Sequence, residues 1–60
     1  MNEEKSRKIL GNTIQKNGID LNNYCQYMSW QKGDDTICLD GDFNVETLEA
    51  IVWWIKNKNE

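Results

Sequence analysis

The spacing of apolar positions is helical at both ends of the chain and alternates in between. Near the N-terminus, Ile9, Leu10 and Ile14 form a narrow stripe with Thr13 beside it. Glu3–Arg7 and Glu4–Lys8 are i,i+4 pairs in the favourable orientation, and the acidic residues suit a helix start. This predicts a first helix over about residues 2–17. It is stopped by Asn17-Gly18, where glycine takes the left-handed conformation and Ile19 reaches back to Ile14. Gly11 weakens the middle of that helix by about 1 kcal/mol relative to alanine. Ile19 to Asn23 reads as a connector whose Ile19 and Leu21 plug one end of the core.

The aromatic-rich run from Tyr24 to Gln31 predicts a strand, Lys32-Gly33-Asp34-Asp35 a turn, and Thr36 to Asp40 a second strand. Keeping the apolar set on one face fixes the register. Trp30 then faces Ile37 and Met28 faces Leu39, while Tyr27, Ser29, Cys38 and Asp40 share the opposite face.

The stretch from Leu39 to Ile55 organises the rest: a strand end, a turn at Asp40-Gly41-Asp42, and a helix over about residues 45–57. Asn44 is the N-cap, Phe43 and Leu48 have the spacing of a hydrophobic staple, and Lys56 and Lys58 complement the helix C-terminus. Val45, Leu48, Ile51, Val52 and Ile55 form the expected core stripe. At about 100° per residue, Trp54 falls about 115° from that stripe's centre and Trp53 about 145° to the other side, with Ala50 between them. Either the indoles fold over the edges of the core or under the N-terminal helix, or they belong to a contact with another chain. The candidate interface residues are therefore Trp53, Trp54 and Ala50, then Tyr24 and Tyr27.

The expected fold class is α+β: a single domain, residues 1–60, of αββα order, with an antiparallel β-hairpin packed against two helices. A 60-residue chain buries only about 60% of its unfolded surface. A lone two-stranded hairpin is poor support for a domain and has two open edges. Both points favour a homodimer, through the hairpins or through the tryptophan-bearing helix, or else a larger protein partner. No run of about 18 apolar residues is present to span a membrane, and Asn-Glu-Glu-Lys after Met1 is not a signal region. The expected compartment is the cytoplasm. In the preferred register Cys25 and Cys38 stand four rungs apart, about 13 Å, which is too far for a disulfide, so two free thiols are expected.

The chemistry-bearing residues argue against catalysis and cofactors. The chain has no histidine, so the commonest general base and metal ligand is missing. Asp40 to Glu46 carries oxygen ligands at alternate positions like a calcium loop. However, Val45 stands where such a loop needs glycine, and Ile51 where it needs a bidentate glutamate. Two isolated cysteines do not make a zinc site, and neither has a histidine to activate it as a nucleophile. No metal and no cofactor is expected.

The net charge is −3. Asp34, Asp35, Asp40, Asp42, Glu46 and Glu49 lie in a span without Lys or Arg, and Lys5, Arg7 and Lys8 cluster on the first helix. The alternative to an interaction module is thus a nucleic-acid-linked accessory factor, acting through that basic cluster or by acidic mimicry of phosphate.

The segment Leu39-Asp-Gly-Asp-Phe-Asn-Val-Glu-Thr-Leu-Glu-Ala-Ile, about a third of the chain including its flanks, resembles the C-terminal half of short bacterial and phage-type proteins. Those pair a Leu-Asp-Gly strand end with an acidic-capped helix. The resemblance implies a phage or mobile-element origin and names no activity. The expected function is a small non-enzymatic protein–protein interaction module that self-associates.

Overall fold

The structure, a computed structural model, describes residues 1–59. It is an α+β domain in which a four-stranded antiparallel sheet, ordered β1-β2-β3-β4, packs against two helices. The elements are α1 (Glu3–Leu10), β1 (Ile14–Gln15), β2 (Gly18–Asn22), β3 (Gln26–Gln31), β4 (Cys38–Gly41) and α2 (Val45–Lys58), with a single 3-10 turn at Gly11–Thr13. The sheet thus has four strands where the alternation predicts two, and α1 is half as long as expected.

Both corrections begin at Gly11. Asn2 caps α1 by accepting the Lys5 N–H at 2.8 Å, and the acidic pair fills the first turn. Gly11 then takes φ +54° and donates its N–H to the Arg7 carbonyl, ending the helix. Thr13 donates its hydroxyl to the Leu10 carbonyl at 2.7 Å, and the chain turns into extended backbone at Ile14. The stretch from Ile14 to Asn22, divided in the sequence between helix and connector, is instead a hairpin that pairs Ile14 with Ile19 and Gln15 with Gly18.

β2 then lies against β3, which is central and most buried. Gly18 is required there, because a Cβ at that position would collide with the Trp30 carbonyl oxygen. On the other side, β3 and β4 pair Met28 with Leu39, Ser29 with Cys38 and Tyr27 with Asp40. This is the register that keeps the apolar residues on one face.

The inward face of the sheet carries Ile14, Ile19 and Trp30 in one row and Leu21, Met28 and Leu39 in the next. Ile19, Met28 and Trp30 join Leu10 of α1 and Ala50, Ile51 and Trp54 of α2 in a single core. Glu3 meets Lys58 and Ser6 meets Ala50, so the two helices run antiparallel. Ser6 and Ala50 are both fully buried, and the Ser6 hydroxyl donates to the Ala50 carbonyl at 2.9 Å. Two small residues at the crossing let the helices approach closely.

The far end of α2 is clipped to the β3–β4 loop. The Asn59 side chain donates to the Asp34 carbonyl and accepts the Gly33 N–H. Trp30 Nε1 donates to the same Asp34 carbonyl at 2.8 Å.

Candidate interaction surface

Helix α2 starts as the sequence indicates: Asn44 accepts the Thr47 N–H at 2.8 Å and Glu46 occupies the first turn. Its orientation is different. The inward residues are Ala50, Ile51 and Trp54, while Val45 (70% exposed), Val52 (51%) and Leu48 (36%) look outward. Relative to the stripe Val45-Leu48-Ile51-Val52-Ile55, the helix is rotated by about 100°, roughly one residue's turn. Phe43 turns into the edge of the core while Leu48 faces away from it, so the pair does not act as a staple.

Trp54 explains much of this choice. Its ring is only 6% exposed and carries a cation on each of two long side chains. Arg7 lies 5.1 Å and Lys58 5.7 Å from the ring centroid. Glu3 bridges both cations, at 3.1 Å to Arg7 and 2.7 Å to Lys58. The hydrogen bond and charge of Lys58, then those of Arg7, hold the Glu3 carboxyl below its ordinary range. Placing Trp54 inward also brings Ala50 against Ser6, where both residues are fully buried.

The five candidate interface residues do not form one surface. Ala50 and Trp54 are enclosed within the protomer, so neither is available for docking as the free chain stands. Trp53 is half-buried on the flank of α2, its ring 5.9 Å from that of Trp54 and tilted by 53°. Tyr24 is fully exposed in the β2–β3 turn. Tyr27 is half-buried on the outward face of the sheet, between Asn22 and Asp40.

What the structure does bring together is a shallow depression lined by Met1, Val45, Leu48, Glu49, Val52, Trp53 and Lys56. Met1 is itself 43% exposed. Of these residues only Trp53 was singled out from the sequence as a contact. The signal for the others was present: α2 is apolar on nearly every side, and a two-layer domain can cover only one of them.

The basic cluster is partly committed, since Arg7 is held by Glu3 and Trp54, whereas Lys5 and Lys8 are exposed. Among the described residues, no three potential metal ligands gather, and no helix is long and apolar enough to cross a membrane. Cys25 and Cys38 are exposed and unbridged. Comparison with protein-family models, curated proteins and solved structures finds no match.

Proposed function

We propose that the protein is a small non-enzymatic interaction module that works through the outer face of α2. The observation that carries this reading is the outward stripe Val45-Leu48-Val52, flanked by Met1 and Trp53. Valine is a poorer helix former than alanine or the long polar residues, so local helix stability does not favour it at an exposed helical site. Burial against another surface does. Each valine or leucine side chain gains roughly 1.5–3 kcal/mol when fully removed from water. The free thiols at Cys25 and Cys38 suit a reducing compartment, the cytoplasm.

The test compares wild type with Val45→Lys/Val52→Lys in two arms, sedimentation and retention of proteins from a lysate. Wild type is expected to sediment above its monomer mass, or to retain a partner that the variant loses. A wild type that does neither, or a variant that keeps both, refutes the assignment of this face.

A further inference from the structure

We infer that the occupant of the α2 outer face is a second copy of the chain, packed with its own α2 antiparallel across a two-fold axis. This rests on the reading of that face as an interaction surface and adds its partner and geometry.

The argument is one of self-complementarity. An isologous contact places the same patch against itself, so every charge on the patch must find its complement within the patch. The outward side of α2 is acidic in its N-terminal half, at Glu49, and basic near its C-terminal end, at Lys56. Glu49 and Lys56 both line the apolar depression and both are exposed. They are seven residues apart, about 10 Å along the axis and nearly on the same line of the helix surface.

A two-fold axis crossing α2 between Val52 and Trp53 makes Glu49 level with the partner's Lys56, and Lys56 level with the partner's Glu49. Val52 then lies beside the axis, against the partner's Trp53, while Leu48 lies over the partner's last helical turn and Val45 falls past its end. The aliphatic stem of Lys56 covers apolar surface while its ammonium reaches the carboxylate. Antiparallel helices also set opposite dipole ends side by side. A parallel pairing has none of this, because it sets Glu49 against the partner's Glu49 and Lys56 against the partner's Lys56.

Size sets the expected strength. The whole protomer exposes 4470 Å². A standard interface of about 800 Å² per partner would take nearly a fifth of that, more than one face of a 14-residue helix with its flanks supplies. The pairing therefore belongs to the small, transient class and is read in the micromolar-to-millimolar range.

Sedimentation equilibrium on the full chain, at low and high salt, tests it. Wild type is expected to show a monomer–dimer equilibrium that weakens with salt. By symmetry, Glu49→Lys or Lys56→Glu alone converts two attractive contacts into two repulsive ones, an expected loss of about ten-fold in affinity. The double variant Glu49→Lys/Lys56→Glu restores the wild-type constant, and so does mixing the two single variants. Both positions changed are exposed, so the fold survives, which far-ultraviolet circular dichroism checks.

If wild type dimerises but Glu49→Lys has no effect, the antiparallel geometry is overturned, since that geometry sets Glu49 against the partner's Lys56. If Val52→Lys leaves the dimer intact, the contact lies elsewhere, the open edge of β4 being the first place to look, and the inference falls with the face. If wild type remains monomeric to millimolar concentration, the second copy is excluded. The lysate arm of the preceding test then judges the surface by itself.

Discussion

Ile51 and Val52 are neighbours of similar chemistry that fall on opposite faces of α2, one 2% exposed and the other 51%. A core stripe running through both would make truncation of either costly. The observed orientation makes only one of them costly. Ile51→Ala removes three carbons from a packed site, a change worth about 2–5 kcal/mol. A 60-residue domain has a total stability of only about 3–9 kcal/mol, so this variant loses most of its folded margin.

Ile51→Val is the better instrument, at about 0.5–1.5 kcal/mol. With a urea slope near 1 kcal/mol/M for so small a chain, its midpoint should fall by roughly 0.5–1.5 M. Val52→Ala removes mostly solvated surface and replaces valine by a better helix former, so its midpoint should move by less than about 0.5 M, in either direction. Tryptophan fluorescence follows the transition, since Trp30 and Trp54 pass from 3% and 6% exposure to water. The titration is run at the lowest workable protein concentration, because association through the outer face would add its own stabilisation. A Val52→Ala midpoint that drops as far as that of Ile51→Val would return Val52 to the core and refute the rotation of the helix.

Other consequences follow from single contacts. Ser6→Ala deletes the hydroxyl bonded to the Ala50 carbonyl, but that carbonyl stays inside a continuous helix, so urea denaturation should show a loss of only about 1 kcal/mol. Gly18→Ala drives a Cβ into backbone atoms of Trp30 and Gln31, which cannot swing aside; circular dichroism should show loss of the β2–β3 pairing, a cost of at least about 3 kcal/mol. The Glu3 carboxyl titrates lower in the folded protein than its ordinary 4.5, so its contribution is present above that pH and is lost as pH falls through the depressed folded value. Glu3→Gln should therefore flatten the acid limb of the stability profile below about pH 4.5 and leave its shape near neutrality unchanged, read by urea midpoints across the range.

The parts of the fold that were legible in the sequence are those where one physical rule acts alone. Alternation over Met28-Ser29-Trp30 and Ile37-Cys38-Leu39 favours one register, and the sheet adopts it at Met28–Leu39 and Ser29–Cys38, while the expected Trp30–Ile37 pair falls before the strand that starts at Cys38. Asn44 before a helical run has one use, and it caps α2. The N-terminal third was not legible, because two rules compete there. Ile9, Leu10 and Ile14 satisfy helical spacing, yet Gly11 can end a helix as well as weaken one. Which it does depends on whether the following residues gain more from a turn of helix or from pairing. Ile14 and Ile19 gain more by facing each other across a hairpin and reaching the inner face of the sheet, a non-local contact that no helical pattern encodes.

The orientation of α2 is a case of near balance between two faces. Turning the helix back by one residue's angle would enclose Val45, Leu48 and Val52 and expose Trp54. At about 25 cal/mol per Å², the 150–250 Å² of an indole is worth roughly 4–6 kcal/mol, and Val45, Val52 and Leu48, at roughly 1.5–3 kcal/mol each for full burial but already partly covered, come to about the same. Apolar area, which is what periodicity reads, therefore cannot decide between them. The decision falls to features that a stripe does not record. Ala50 admits Ser6, and Arg7 and Lys58 stack on Trp54 while Glu3 joins them. Each of these needs Trp54 and Ala50 inward. The rejected face loses the contest by little, so it keeps nearly the same gain in reserve for whatever covers it from outside. Its acidic and basic ends, at Glu49 and Lys56, limit a self-pairing to the antiparallel sense.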